Sequence, residues 1–223
     1  MTSAPSRPSR TLPGPWRAVV FDMDGLLVHS EVRWHQAKLR LFARHGVEFR
    51  DDDRWAVFGA AELDSALHFT RRFGLPDSEV TAVRDEYMEI VHELMREPAQ
   101  ITSGAVELID HLSGRVPLGL ASNTRRSLVD EILATTPFAG RFDAVATGDE
   151  VRPKPAPDVY LLACERLGIS PSDAVALEDS PLGARAAMAA GMYCIGVPSH
   201  PGEPLTEAHE RVASLLELMP TAA

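Results

Sequence analysis

The chain has 223 residues, of which 45% are hydrophobic and 24% charged, and its 32 acidic against 22 basic side chains give a formal net charge of −10. Those are the proportions of a globular protein with a full core, not of a disordered chain, and no apolar run approaches the roughly 20 residues that a membrane-spanning helix needs. The acidic balance argues against nucleic acid as a partner, because phosphate backbones are held by clustered Lys and Arg.

Met1 to Pro15 is rich in Ser, Pro and Arg and reads as a disordered tail, residues 1–15, without the apolar core of a secretory signal. Cys164 and Cys194 each lie in an apolar segment, as buried free thiols do, so neither a disulfide scaffold nor a zinc site is expected and a reducing cytoplasm is the expected location. Ala18 to Phe21 then read as a buried strand that runs straight into Asp22, Met23, Asp24 and Gly25. Alternate residues of an extended chain share a face, so Asp22 and Asp24 point the same way and repel unless a cation or a shared proton offsets them. The pair is therefore a candidate divalent-metal site, although Asp-x-Asp-Gly also suits a plain strand-ending turn.

From Glu31 to about Glu97 the signals are helical. Val32, His35, Leu39 and Phe42 fall near one face, the apolar one, of a helix that Gly46 is expected to end. Leu63, Leu67 and Phe73 mark a second helical region. Val80, Val83, Tyr87, Val91 and Leu94 mark a third, capped by Asp77 or Ser78. Asp51 to Asp53 between them reads as a solvated acidic loop.

Beyond Ser103 short apolar runs alternate with helices: Val116 to Ala121 ends at Ser122, Asn123 and Thr124; Ala144 to Ala146 ends at Thr147; Ala174 to Leu177 ends at Glu178, Asp179 and Ser180; and Tyr193 to Val197 is a last strand. A C-terminal helix is expected over Thr206 to Leu218. Alternating strands and helices predict an α/β fold, a Rossmann-like doubly wound parallel sheet whose polar strand ends meet at one edge. The core would comprise residues 16–30 and 99–223, with a small helical cap, residues 31–98, inserted after the first strand.

Four motifs, FDMDG at Phe21 to Gly25, LASNT at Leu120 to Thr124, RPKPAPD at Arg152 to Asp158 and LEDSPLGARAA at Leu177 to Ala187, resemble in order those of the haloacid dehalogenase superfamily, in its sugar-phosphatase and β-phosphoglucomutase-like branch. The resemblance implies a Mg²⁺-dependent phosphatase acting on a small phosphorylated metabolite. Asp22 would be the nucleophile that forms an aspartyl-phosphate, and Asp24 the general acid and base. Asp22, Asp179 and the Asp24 backbone carbonyl would hold the metal, with Glu178 orienting from behind or ligating through water. Ser122 and the Asn123 amide would bind the phosphoryl group. Lys154, stiffened by Pro153 and Pro155, would offset charge on that group and on Asp22.

Some residues remain open or depart from the pattern. Asp158 is read as a helix cap or a site residue, and Ser180 as orienting Asp179 or opening the next turn. His29 stands where the family often has Asp. Trp34 and Glu62 stand where β-phosphoglucomutases are expected to carry His and Arg, which places phosphatase ahead of mutase. Asp24 speaks against the metal-free dehalogenase reaction, and Lys38, well into the first cap helix, against a Schiff-base phosphonate hydrolase. A binding module that turns nothing over would have no need of Asp22, Asp24, Ser122, Lys154 and Asp179 together. Without heptads, a monomer is the default.

Overall fold

Val19 and Phe21 leave the first strand on one side and Ala18 and Val20 on the other, and all four are buried, as the two-residue period of a strand covered on both faces requires. This computed structural model describes residues 11–12, 14–57, 60–199 and 205–220. The strands β1 (Ala18–Phe21), β2 (Leu118–Ser122), β3 (Ala144–Thr147), β4 (Ala174–Glu178), β5 (Tyr193–Gly196) and β6 (Glu210–Arg211) form one parallel sheet ordered β3-β2-β1-β4-β5-β6. The chain steps from β1 to β2 and β3 in one direction and then crosses back to β4, so the winding reverses between β1 and β4. A crevice opens at the carboxyl ends of the strands at such a point.

The two faces are filled differently. Val19, Phe21, Leu118, Leu120, Val175 and Leu177 meet helices α5 (Ala105–Leu112) and α6 (Arg126–Ala134) on one side. Ala18, Val20, Ala121, Ala174 and Ala176 meet α7 (Asp158–Leu167) and α8 (Pro181–Ala189) on the other. Between β1 and α5 come four further helices, α1 (Glu31–Arg44), α2 (Asp51–Ala56), α3 (Glu62–Arg72) and α4 (Val80–Met95). α1 and α3 both pack on α4, around Phe42, whose ring meets Phe49, Phe69 and Phe73 edge-on. The chain enters and leaves this insertion through two paired segments: the N–H of His29 donates to Gln100, that of Thr102 to Leu27, and the Arg33 guanidinium to the carbonyls of Glu97 and Pro98.

Several local expectations are corrected. In α1 the buried residues are Ala37, Leu41 and Phe42, whereas Val32, His35 and Leu39 are exposed; helical spacing fixes a stripe's period but not which of several stripes is covered. Asp51 to Asp53 are not a loop but the first turn of α2, where carboxylates complement the positive helix end, and Asp53 is buried. Neither Asp77 nor Ser78 caps α4. Asp77 instead takes the Arg71 guanidinium and opens a single 3₁₀ turn ahead of the helix.

No helix spans Thr206 to Leu218. Glu210–Arg211 extend the sheet beside β5, and Leu215–Leu218 form a 3₁₀ turn that still buries Leu215 and Leu218, so the apolar pattern was met by a strand and a turn. Leu12, assigned from the sequence to the tail, is buried, and its N–H donates to Leu218. Residues 1–10 and 13 of that expected tail lie outside the described residues. Both cysteines are buried free thiols, as expected. Among the described residues no helix is long and apolar enough to cross a membrane.

Candidate active site

The register of the three central strands assembles the site. Phe21 is level with Leu120 on β2 and Leu177 on β4, so the next residue, Asp22, stands beside Glu178, and its N–H donates to Leu177 at 3.0 Å. Asp22, Ser122, Glu178 and Asp179 thus come from adjacent strand ends, and all four are buried. Gly25, at φ 86°, turns the chain away directly after Asp24.

Lys154 reaches the same point from the loop before α7. Its ammonium, also buried, donates to Asp22 Oδ1 at 2.5 Å and to Glu178 Oε1 at 2.6 Å, and lies 4.9 Å from the centre of the Tyr160 ring. Burial works against the ammonium, but the two carboxylates outweigh it and hold its pKa above the ordinary lysine value. Asn123 fixes the base of this lysine: its side-chain oxygen accepts the Lys154 N–H at 2.7 Å, and its NH₂ donates to the Lys154 carbonyl at 3.2 Å. The sequence suggested only a backbone role for Asn123.

Glu178 is saturated. Oε1 accepts from Lys154 and from the Tyr160 hydroxyl at 2.7 Å, and Oε2 from the N–H groups of Asp179 and Ser180 and from the Ser180 hydroxyl at 3.1 to 3.2 Å. Ser180 also accepts from Gly183 N–H and so opens α8; of its two readings the structure supports the turn. A Cβ at Gly183 would lie 1.8 Å from Glu178 Oε1, so only glycine lets the helix start against this carboxylate.

Asp22, Glu178 and Asp179 each place a carboxylate oxygen within 4.8 Å of the others'. Burial pushes the Asp22 carboxyl up to about 8; Lys154 pulls it down, while the Glu178 and Asp24 carboxylates add to the rise. Clustered hard oxygens carrying more negative charge than one ammonium offsets fit a small divalent cation such as Mg²⁺. Asp24 accepts four bonds: Oδ1 from the Ser30 hydroxyl and from Trp34 Nε1 at 3.1 Å, and Oδ2 from Thr124 Oγ1 at 2.8 Å and Ser122 Oγ at 3.4 Å.

These groups floor a cavity of about 320 Å³ roofed by Trp34, His35, Lys38, Arg54, Glu62 and Tyr87 of the insertion. Glu62 and Arg125, just past the Ser122 motif, form a forked ion pair between insertion and core, with Nε to the two carboxylate oxygens at 3.0 and 3.1 Å. Asp158 is not brought into the site. It takes Arg152 Nε at 2.9 Å in the first turn of α7, whose capping position is Pro157, so it does not cap the helix either. His29 serves the paired neck through its backbone. Sequence reasoning missed Ser30, Tyr160, Gly183 and Arg125. Thr124 lay within a motif singled out but received no role.

A family model described as haloacid dehalogenase-like hydrolase matches residues 16–191. The chain is 35% identical over 208 residues to validoxylamine A 7'-phosphate phosphatase of Streptomyces hygroscopicus subsp. limoneus, covering 91% of this chain and 96% of the relative. It is 31% identical over 179 residues to a phosphorylated carbohydrates phosphatase of Thermotoga maritima, covering 78% and 82%. The solved structure of CbbY from Rhodobacter sphaeroides in complex with phosphate superposes with a TM-score of 0.77 at 29% identity over 91% of this chain and 96% of that one. A β-phosphoglucomutase from Clostridium difficile, TM-score 0.81 at 21% identity over 91% and 93%, shares the fold.

Proposed function

The chain belongs to the haloacid dehalogenase-like hydrolases and is a phosphoric monoester hydrolase, and on that premise we propose that it is a Mg²⁺-dependent sugar phosphatase working through an aspartyl-phosphate on Asp22. The observation that carries this reading is the buried triangle of Asp22, Lys154 and Glu178 with Asp179 beside it at the sheet's switch point. Relatives whose names specify phosphorylated carbohydrates and fructose 1-phosphate as substrates support the sugar class.

In the proposed reaction a carboxylate oxygen of Asp22 attacks phosphorus, and the bond to the sugar oxygen breaks as Asp24 gives that oxygen a proton. Asp24 then takes a proton from water, whose oxygen attacks the aspartyl-phosphate; phosphate leaves and the Asp22 carboxylate is restored. Ser122 and the Asn123 amide hold the phosphoryl oxygens in this scheme. Lys154 works against the rise that burial imposes on the Asp22 carboxyl and offsets the charge gathering beside it. Glu178, with five donors already on its two oxygens, acts as a positioning residue for Lys154, which leaves Asp22, Asp179 and the Asp24 carbonyl to hold Mg²⁺. Bound there, the ion supplies Lewis-acid neutralisation of the transferring group.

The insertion, residues 31–98, is the cap in this proposal, and residues 16–30 and 99–223 the catalytic core. Four hydrogen bonds lock Asp24 to both: Ser30 and Trp34 lie at the cap's root, Thr124 and Ser122 in the core. Phosphatase is favoured over mutase because Glu62, not an arginine, faces the cavity from α3.

Phosphate release from a panel of sugar phosphates, with and without Mg²⁺ and with Asp22→Asn, tests the proposal. Release that depends on both is the expected result. Conversion of β-glucose 1-phosphate to glucose 6-phosphate without release would overturn it.

A further inference from the structure

Tyr160 is the largest of the fully buried side chains, and among the described residues it is the sole aromatic ring in the alanine-rich cluster between the sheet and helices α7 and α8. A phenylalanine would fill that space with no polar atom to satisfy, so it is the hydroxyl that needs a reason. Tyr160 is the third residue of α7, six beyond Lys154, and its hydroxyl donates to Glu178 Oε1 at 2.7 Å, the same oxygen that takes the Lys154 ammonium at 2.6 Å. The ring meets that ammonium too, with 4.9 Å between the nitrogen and the ring centre. One side chain thus touches both members of the Lys154–Glu178 pair. Burial, and then the Glu178 and Asp22 carboxylates, hold the phenol well above its ordinary pKa, so it is a donor at neutral pH.

The Lys154 ammonium is divided between two acceptors at nearly equal distances, Asp22 Oδ1 at 2.5 Å and Glu178 Oε1 at 2.6 Å. Its position between them depends on how strongly each oxygen attracts it, and an oxygen that already accepts one bond pulls less on a second donor. The N–H groups of Asp179 and Ser180 and the Ser180 hydroxyl all engage Glu178 Oε2, so of the five donors on this carboxylate Tyr160 is the one that shares Oε1 with the lysine. We propose that Tyr160 is a positioning residue for phosphoryl transfer: its hydroxyl loosens the hold of Glu178 on the Lys154 ammonium and so tilts the ammonium towards Asp22, while its ring walls the ammonium on a further side. The proposal rests on the reading that Asp22 takes the phosphoryl group. Charge gathers beside Asp22 as that group transfers, so the tilt acts more on the transition state than on bound substrate and belongs in kcat, not in KM.

Tyr160→Phe keeps the ring and removes the hydroxyl. In the full-length protein with Mg²⁺ and the sugar phosphate that it hydrolyses fastest, kcat should fall about tenfold, the scale of one charge-assisted hydrogen bond, with KM within about twofold of the parent. Replacement of Tyr160 by 3-fluorotyrosine keeps the donor and should hold kcat within about twofold of the parent, which a change in packing alone would not separate from phenylalanine. The sequence has two lysines, Lys38 and Lys154, so nuclear magnetic resonance of protein labelled with ¹⁵N in lysine reads the Lys154 ammonium directly, with Lys38→Arg giving the assignment. That signal should move in Tyr160→Phe and stay in place in Tyr193→Phe, whose ring stacks between Trp16 and His209 on β5. Thermal melting reports that each variant is folded. An unmoved Lys154 signal, an unchanged kcat, or a loss that appears in KM instead would overturn the proposal. The resonance measurement needs no turnover: release of phosphate by the parent with an unmoved signal removes the role of Tyr160 alone, and a moved signal without release removes the phosphatase reading while the link from Tyr160 to Lys154 stands.

Discussion

Glu178 and Asp53 are both carboxylates withdrawn from water and both met by several donors, one at the end of a central strand and the other in the first turn of a helix of the insertion. Asp53 accepts from the Arg50 N–H at 3.0 Å, from His68 at 2.8 Å and from Arg72 Nε at 2.6 Å. Burial raises its pKa, but the Arg72, Arg50 and His68 bonds outweigh it and leave the carboxyl below its usual range. Its partners tie α2 to α3, and through Arg72 to the Glu48 carbonyl and the Phe42 ring, all within the insertion and none at a reacting group. Glu178's chief partner, Lys154, also holds Asp22. A buried, satisfied carboxylate is therefore no sign of chemistry by itself; what its partner touches next decides.

The sharpest way to break the comparison is to delete both groups. Glu178→Ala strands the Lys154 ammonium against Asp22 and leaves the Tyr160 hydroxyl unmatched, so it should cost about 3–5 kcal/mol in denaturant unfolding and abolish phosphate release. Glu178→Gln keeps the shape but not the charge and should lower kcat by about 100-fold with little change in KM. Asp53→Ala should cost about 2 kcal/mol in the same unfolding assay, yet leave phosphate release per folded molecule within about threefold. An equal loss of activity in both alanine variants would erase the distinction.

Glu62 sharpens the comparison because its partner Arg125 belongs to the other part of the molecule. Glu62→Gln should leave the melting temperature nearly unchanged and raise KM by about three- to tenfold, as expected for a partly buried pair worth about 1 kcal/mol that joins the insertion to the residues past the Ser122 motif. The smallest effect is expected at Glu150. The Arg166 guanidinium, with the hydroxyl and N–H of Thr147, overcomes a modest burial cost and lowers its carboxyl to about 2. A pKa held below the unfolded value stabilises the fold above pH about 4.5 and is lost as pH falls towards 2. Urea titrations of the parent and Glu150→Gln should therefore differ by about 1 kcal/mol at pH 6 and converge near pH 2, with activity at neutral pH unaffected. Glu150 would then show that a carboxylate in the core can be as purely architectural as Asp53.

The site was legible because chain direction does the work in a parallel sheet. Once Phe21, Ala121 and Leu177 are read as strand residues, the polar residues that follow must meet at one edge. Lys154 could be read from its flanking prolines, but the use of the Asn123 side chain to clamp its backbone could not, because that depends on where two loops approach. The insertion was less legible. Helical spacing is compatible with several buried stripes, so Val32 and Leu39 were placed inward and Asp53 outward, the reverse of what packing against α4 and the reach of Arg72 impose. Tyr160 carries no signal at all, since a tyrosine in an amphipathic helix says nothing of which acid its hydroxyl will find.

The unequal filling of the sheet's two faces decides how the core can tolerate change. On the side of α7 and α8, Ala18, Ala121, Ala174, Ala176, Ala184 and Ala187 leave almost no side-chain volume to remove, so a scan that truncates to alanine is blind there. Added bulk has nowhere to go, and a single extra methylene set against so close a helix costs about 1–3 kcal/mol. The opposite face, built from Val, Leu and Phe, fails by losing atoms instead, at about 2–5 kcal/mol for a leucine cut to alanine. Saturation mutagenesis should therefore yield two mirror-image tolerance profiles on one sheet, with neighbouring residues of a single strand obeying opposite size rules.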